Sequence, residues 1–143
     1  MTHIIDFQAT QPTSRVNERT FEIPHSPTQL NLACIKLRIP KIDSHDNRVE
    51  LIGTVGVKGI TGIAQILFRI FRDGVEIFNA QAGIESADSE QFYIETFQAI
   101  DKNLRCGTRV YTLTVENLTN NTRADVVGPV SFSGLAIGQN HDY

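Results

Sequence analysis

The chain reads as an all-β protein, an antiparallel β-sandwich of jelly-roll type carrying an N-terminal arm. Three observations predict this. From Arg48 to Ile137 apolar and polar residues alternate, and no helical period is sustained. Gly, Asp and Asn clusters interrupt that alternation at short intervals. Asp73-Gly74 sits between two apolar runs, which is a strong hairpin signal, because a type I′ turn needs positive φ at both central positions.

Residues 1–20 form the arm. Thr2, Gln8, Thr10, Gln11, Pro12, Thr13, Ser14 and Asn17 make this stretch polar, and only Ile4, Ile5, Phe7 and Val16 are notably apolar. Ile4, Ile5 and Phe7 form a β-prone run that would dock by adding as a strand to a neighbouring subunit or layer protein; a disordered tail explains the stretch equally. Residues 21–143 are the sandwich domain. Phe21 to Ile23 opens it, and Pro24-His25-Ser26-Pro27 breaks it. Leu30 to Ile39 is a strand with a phase change near Cys34, as a bulge would give, and Pro40 ends it. Lys41 to Asn47 is a loop.

Val49, Leu51, Gly53, Val55 and Val57 alternate with polar neighbours in the next strand, and Gly56, Gly59 and Gly62 punctuate its end. Gln65 to Arg72 and Val75 to Gln81 make the hairpin. Ser86 to Ser89 is a loop, Phe92 to Ile100 a strand, and Asp101-Lys102-Asn103 a turn. Val110 to Val115 alternates again. Asn117 to Thr122 turns the chain into a last strand, Val126 to Gly138, whose start Pro129 limits. Roughly seven or eight short strands at this spacing suit a sandwich.

Composition excludes several function classes. The chain has 143 residues, 41% hydrophobic, with a formal net charge of −3 spread along its length. That is enough apolar content for one core. No basic stripe favours nucleic acid, and no like-charge run favours a membrane surface. No apolar stretch approaches the roughly 18 residues of a membrane-spanning helix. The opening Met1-Thr2-His3-Ile4-Ile5-Asp6 has no secretory signal pattern, so synthesis in a cytosol is expected. Cys34 and Cys106 are too few and too far apart for a disulfide framework or a CxxC motif. Both are expected as free thiols, with Cys34 half-buried in its strand and Cys106 in a turn.

No nucleophile–base set, metal cluster or phosphate loop is legible, so no catalytic residue, metal ligand or cofactor is expected. His3, His25, His45 and His141 form no short ligand motif. Asp43-Ser44-His45-Asp46-Asn47 and the Glu85, Asp88, Glu90 segment contain oxygen donors that could take a cation, but Asp and Asn are ordinary turn residues. Gly56 to Gly62 lacks the adjacent Gly-Lys-Ser/Thr of a phosphate loop. Asn117-Leu118-Thr119 and Asn120-Asn121-Thr122 match an N-glycosylation pattern and read equally as turn chemistry.

Two features point to assembly. In the hairpin, Ile66, Phe68 and Ile70 share one face while Leu67 and Phe71 lie on the other, and Val75 and Ile77 oppose Phe78 and Ala80. A sheet with one solvated face should not be apolar on both, so Leu67, Phe71 and Phe78 are interface candidates. In the last strand Ser133, Gly134, Ala136 and Gly138 are small, as close approach at a symmetry axis would require; a glycine-rich edge strand explains them equally. The expectation is a homo-oligomer, most simply a trimer.

The opening Met1-Thr2-His3-Ile4-Ile5-Asp6-Phe7-Gln8-Ala9-Thr10-Gln11-Pro12-Thr13, with Phe21-Glu22-Ile23-Pro24, resembles exosporium protein C of spore-forming bacilli. So do Arg48-Val49-Glu50-Leu51, Phe71-Arg72-Asp73-Gly74-Val75, Tyr111-Thr112-Leu113-Thr114 and the segment Asp125 to Ser133. The resemblance runs over most of the chain. It implies a structural, non-enzymatic protein of the outermost endospore layer, made in the mother-cell cytosol and deposited on the forespore beside other layer proteins. The strand pattern is also weakly similar to tumour-necrosis-factor/C1q-type trimers and to β subunits of spore appendages. The rival reading from another class is a lectin-like or receptor-binding head that recognises a sugar or a protein.

Overall fold

The computed structural model describes residues 1–139. Nine strands follow in chain order: β1 Thr2–Thr13, β2 Phe21–Glu22, β3 Leu30–Ile39, β4 Asn47–Thr61, β5 Ile63–Arg72, β6 Val75–Glu85, β7 Phe92–Lys102, β8 Gly107–Asn117 and β9 Arg123–Gln139. One sheet runs β1-β9-β4-β7, with β2 continuing β1's place beside β9; the other runs β3-β8-β5-β6. Every ladder is antiparallel. This interleaved order is the jelly roll, in which strands distant in sequence become neighbours.

The inner faces follow from the alternation. Val49, Leu51, Val55 and Val57 of β4 are fully buried, and they meet Ile66, Phe68 and Ile70 of β5, Leu113 and Val115 of β8, and Leu37 of β3. Asp73 and Gly74 both take positive φ, +50° and +83°, as the hairpin signal requires. Gly56 and Gly59 serve close backbone approach: a Cβ there would lie 2.0 Å from the carbonyl oxygen of Gly128 or Glu85. The loop-ending Asn47 is buried and structural. Its side chain donates to the carbonyls of Asp43 and Leu104 and accepts from the Leu104 amide, fastening the 41–47 loop to the segment before β8.

The expected N-terminal arm is instead a strand of this domain. β1 pairs along β9 from Thr2↔Gln139 to Thr13↔Val130. The strand addition expected on a neighbouring subunit is therefore made within the chain. Backbone hydrogen bonding, more than apolar burial, holds β1, which is why its polar composition hides it. Two side chains tie it down further: the Asp6 carboxylate accepts from the Arg38 amide of β3, and Thr13 Oγ1 accepts from the Val130 amide. A register shift between Ile4 and Asp6 releases Ile5 from strict alternation, and Ile5 packs against the core.

Several strand limits and one bulge differ from expectation. β9 begins at Arg123, and Pro129 lies inside it. The β4–β9 register shifts between Val55/Val130 and Val57/Val126, so Pro129, which has no N–H, sits in a bulge. β7 continues through Asp101 and Lys102, and the turn follows at Asn103, whose φ is +57°. The bulge of β3 falls between Asn31 and Ala33 rather than at Cys34. Cys34 is exposed on β3, not half-buried, and both thiols are free.

Candidate assembly surfaces

The two sheets present very different faces to solvent. On β3-β8-β5-β6 the outer face is dressed with charge. Arg69 lies between Glu76 and Glu116, pairing with both carboxylates, and Ser26 caps Glu116. Lys36 and Arg38 are exposed on β3. Leu67 and Phe71 are half-buried within this polar setting. Phe78 is half-buried and turns toward the core. It opposes Ile70 across the ladder and stacks on Phe97 at 5.8 Å between ring centroids. The hairpin's second apolar face is thus shared between the core and a charged surface, and it does not form an open patch.

The small residues of β9 are also placed inside. Gly134, Ala136 and Gly138 are buried, while Ser133 alternates to the outer face. A Cβ at Gly134 would meet Ile35 Cδ1 and Leu37 Cδ1, both at 2.9 Å, and Leu51 Cδ2 at 3.1 Å. At Gly138 it would meet Asp43 Oδ1 at 2.9 Å and Ile5 Cδ1 at 3.0 Å. Close approach is real, but it is approach to the opposite sheet and to the 41–47 loop rather than to a symmetry mate. The small residues of β9 therefore belong to the core, and of the hairpin candidates only Phe78 packs against it.

The apolar surface lies instead on the outer face of β1-β9-β4-β7. Ile4 (71% exposed), Phe7 (56%), Ile52 (44%), Phe92 (52%), Ile94 (70%) and Ile100 (47%) stand there. Phe7 pairs with Leu135 and Ile4 with Ile137, both half-buried on the same face. Ser131, Ser133, Thr54 and Thr96 run between these zones. Four charged side chains stand among them: Arg48 and Glu50 together on β4, Lys102 beside Arg48 on β7, and Lys58, which lies over the Phe92 ring at 5.0 Å. Of the residues expected in the arm, Ile4 and Phe7 contribute to this surface and Ile5 does not.

Ile52, Phe92, Ile94 and Ile100 were not legible as surface residues. Ile52 interrupts the polar phase Arg48, Glu50, Thr54 of β4, and that was the available signal. β7 is apolar at both phases, with Tyr93, Phe97 and Ala99 on the other side, so alternation alone could not orient it.

The polar groups outside this surface are used internally. At one end of the sandwich the Arg72 guanidinium meets both Asp101 oxygens at 2.7 and 2.8 Å, and the buried Tyr111 hydroxyl donates to Asp101 at 2.8 Å. Burial, reinforced by the Asp101 carboxylate, drives the Tyr111 phenol well above its ordinary range. His3 pairs with Asp43 at 2.8 Å, joining β1 to the 41–47 loop. The side chain of Asn117, in the first glycosylation-like triplet, is buried and bonded to Thr122 and the Thr119 amide. Tyr93 accepts from the Glu85 amide and donates to the Glu90 carbonyl, which folds the acidic loop onto β7. Among the described residues no three His, Cys, Asp or Glu side chains converge as a metal site would require; His141 lies outside them.

No family model matches the chain, and no curated protein matches it. Solved structures do. The chain is similar to part of a protein in the structure of infectious bursal disease virus Gt strain, with a TM-score of 0.55 at 8% identity over 96% of this chain and 39% of that one. The Gx strain structure gives 0.53 at 8% identity over 98% and 35%. T=1 particles derived from the same virus give 0.51 at 7% identity over 93% and 35%. The chain thus spans little more than a third of these viral chains, and at such identity the likeness is one of fold: a β-sandwich of the same architecture.

Proposed function

We propose that this protein is a non-enzymatic structural building block that assembles with copies of itself, and that it serves in the outer layer of a bacterial endospore. The observation that carries the assembly reading is the contrast between the two outer faces. One sheet carries the Arg69–Glu76–Glu116 ion pairs on its outer face and leaves Ile63 and Val75 exposed at its ends; the other leaves six large apolar side chains open with four charged groups among them. A solvated antiparallel sheet face is ordinarily polar, so the open face calls for a covering partner. The spore assignment rests on the resemblance of the N-terminal, hairpin and last-strand segments to exosporium protein C. The internal use of Asp101, Glu116, Asn47 and Asn117 supports a scaffold over a catalyst.

Light scattering tests the first half. A single species near the 15.9 kDa chain mass across the micromolar range would sink the assembly reading. A fluorescent fusion expressed in a sporulating bacillus tests the second. Signal that stays in the mother cell and never rings the spore would remove the layer assignment while leaving self-assembly standing.

A further inference from the structure

Each sheet has two edge strands, and the four edges are not treated alike. β1 carries two register shifts and Pro12. β3 has a bulge between Asn31 and Ala33 and exposes Lys36 and Arg38. β6 has a bulge opposite Ile70/Phe71 and exposes Glu76 and Glu85. Bulges, charges and proline are the ordinary means of keeping a foreign strand off an edge. β7 has neither bulge nor proline, and its charges are confined to Lys102 at its last position and to Glu95 and Asp101 on the core side. It pairs residue for residue with β4 from Arg48↔Lys102 to Lys58↔Phe92 without a shift, so its whole 11-residue edge is regular. Its outward side chains are Phe92, Ile94, Thr96, Gln98, Ile100 and Lys102, all exposed.

We infer that β7 is a self-pairing edge: it joins β7 of a second copy, antiparallel about a two-fold axis, and fuses two four-strand paths into one continuous sheet. The inference rests on the self-assembly reading and names its surface. The side chains select the register. Glu95 opposes the buried Val55 and so turns toward the core side of the edge, half-buried. Pairing centred on Thr96 would bring the two Glu95 carboxylates within about 7 Å, two strand positions apart. Pairing centred on Phe97 sets each Glu95 opposite Ala99 of the partner subunit and holds the carboxylates about 13 Å apart. On the outer face that register places Ile94 against Ile100 of the partner subunit, Thr96 against Gln98 of the partner subunit, and Phe92 beside Lys102 of the partner subunit. Apolar cross-strand pairs and a cation over an aromatic ring are the combinations that stabilise antiparallel neighbours. The join also brings the Ile94 and Ile100 side chains of both copies into one strip. A two-fold contact yields even-numbered species, unlike a trimer.

The test uses the full chain with Cys34→Ser and Cys106→Ser, two exposed sites, so that no native thiol competes. Adding Thr96→Cys and Gln98→Cys places thiols on directly opposed positions of the proposed ladder. Mild oxidation should convert most of the protein to a covalent dimer with an unchanged far-ultraviolet circular dichroism spectrum. In parallel, Ile94→Lys, at an exposed position that folding does not need, should halve the mass seen by light scattering at about 50 μM, a concentration at which a micromolar contact is largely formed. No covalent dimer, with Ile94→Lys leaving the mass of an oligomeric parent unchanged, overturns β7 pairing and leaves self-assembly intact. Dissociation by Phe7→Lys but not by Ile94→Lys would move the contact to the β1 side of the same face and equally overturn it. A parent that is monomeric at that concentration removes both readings.

Discussion

Gly53 and Phe97 are direct cross-strand partners on β4 and β7, and the Phe97 ring lies over the glycine. A Cβ added at Gly53 would stand 2.6 Å from Phe97 Cε2 and 2.8 Å from Cζ, where carbon atoms rest comfortably at 3.5–4.0 Å. Gly53→Ala must therefore push the ring by about 1 Å, out of its contacts with Phe68 at 5.1 Å and Phe78 at 5.8 Å. Overpacking of this kind costs about 1–3 kcal/mol. The alanine returns about 0.5–1 kcal/mol by lowering the entropy of the unfolded chain, leaving a net loss of roughly 1–2 kcal/mol. Phe97→Ala alone should cost about 2–4 kcal/mol, below the full range for a buried ring because Phe97 is only half-buried. In that background the clash is gone, and Gly53→Ala should stabilise by about 0.5–1 kcal/mol. The sign of the same substitution reverses, a coupling on the order of 2 kcal/mol. Urea unfolding of the parent, both single variants and the double variant, with m-values checked for constancy, measures it. If Gly53→Ala costs the same in both backgrounds to within about 0.5 kcal/mol, the ring does not rest on the glycine and the reasoning fails.

Three further outcomes follow from the fold. The raised Tyr111 phenol means that the folded state holds its proton more tightly than the unfolded chain does; that contribution is complete below about pH 10 and is lost as pH rises above it. Tyr111→Phe should thus cost about 1–2 kcal/mol at neutral pH and flatten the alkaline loss of stability, and parallel urea midpoints of parent and variant between pH 9 and 11 would contradict this. Deleting residues 1–13 strips β9 of its edge partner and should cost at least about 3 kcal/mol, a few net hydrogen bonds at about 1 kcal/mol each; an unchanged melting midpoint would return β1 to the status of a passive arm. Both Cys34 and Cys106 should react with a thiol reagent in the native protein, before any denaturant is added, and a titration that finds fewer than two accessible thiols would contradict their exposed placement.

What could be read from the chain was whatever depends on local chemistry. Asp73-Gly74 must turn with positive φ, and β4 must alternate because one face meets the core, so both were visible. β1 was not, because an edge strand is held by main-chain groups that every residue carries, and a polar run shows no period. The glycines of β9 announced close approach without saying to what: Ile35 and Leu37 from the facing sheet demand the same small residues as a symmetry mate would. The open face was misplaced for a related reason. Leu67 and Phe71 look exposed until Arg69, Glu76 and Glu116 gather around them, and those residues come from three strands that only the fold makes neighbours.

The pairing of Thr2 with Gln139 sets the first and last strands side by side, running in opposite directions. A load applied between these two positions would not shear the β1–β9 ladder as a whole. It would peel it, breaking rungs in succession from the Thr2–Gln139 end, each resisting alone. A load spread across the flanks of the sandwich would instead act on many rungs of β4 at once, since β4 is bonded along both sides. The molecule is therefore mechanically anisotropic: soft when drawn out through its paired ends, stiff when squeezed or pulled through its neighbours. A sheet-like material built from it would be toughest if its subunits held one another by their sides and left the ends slack.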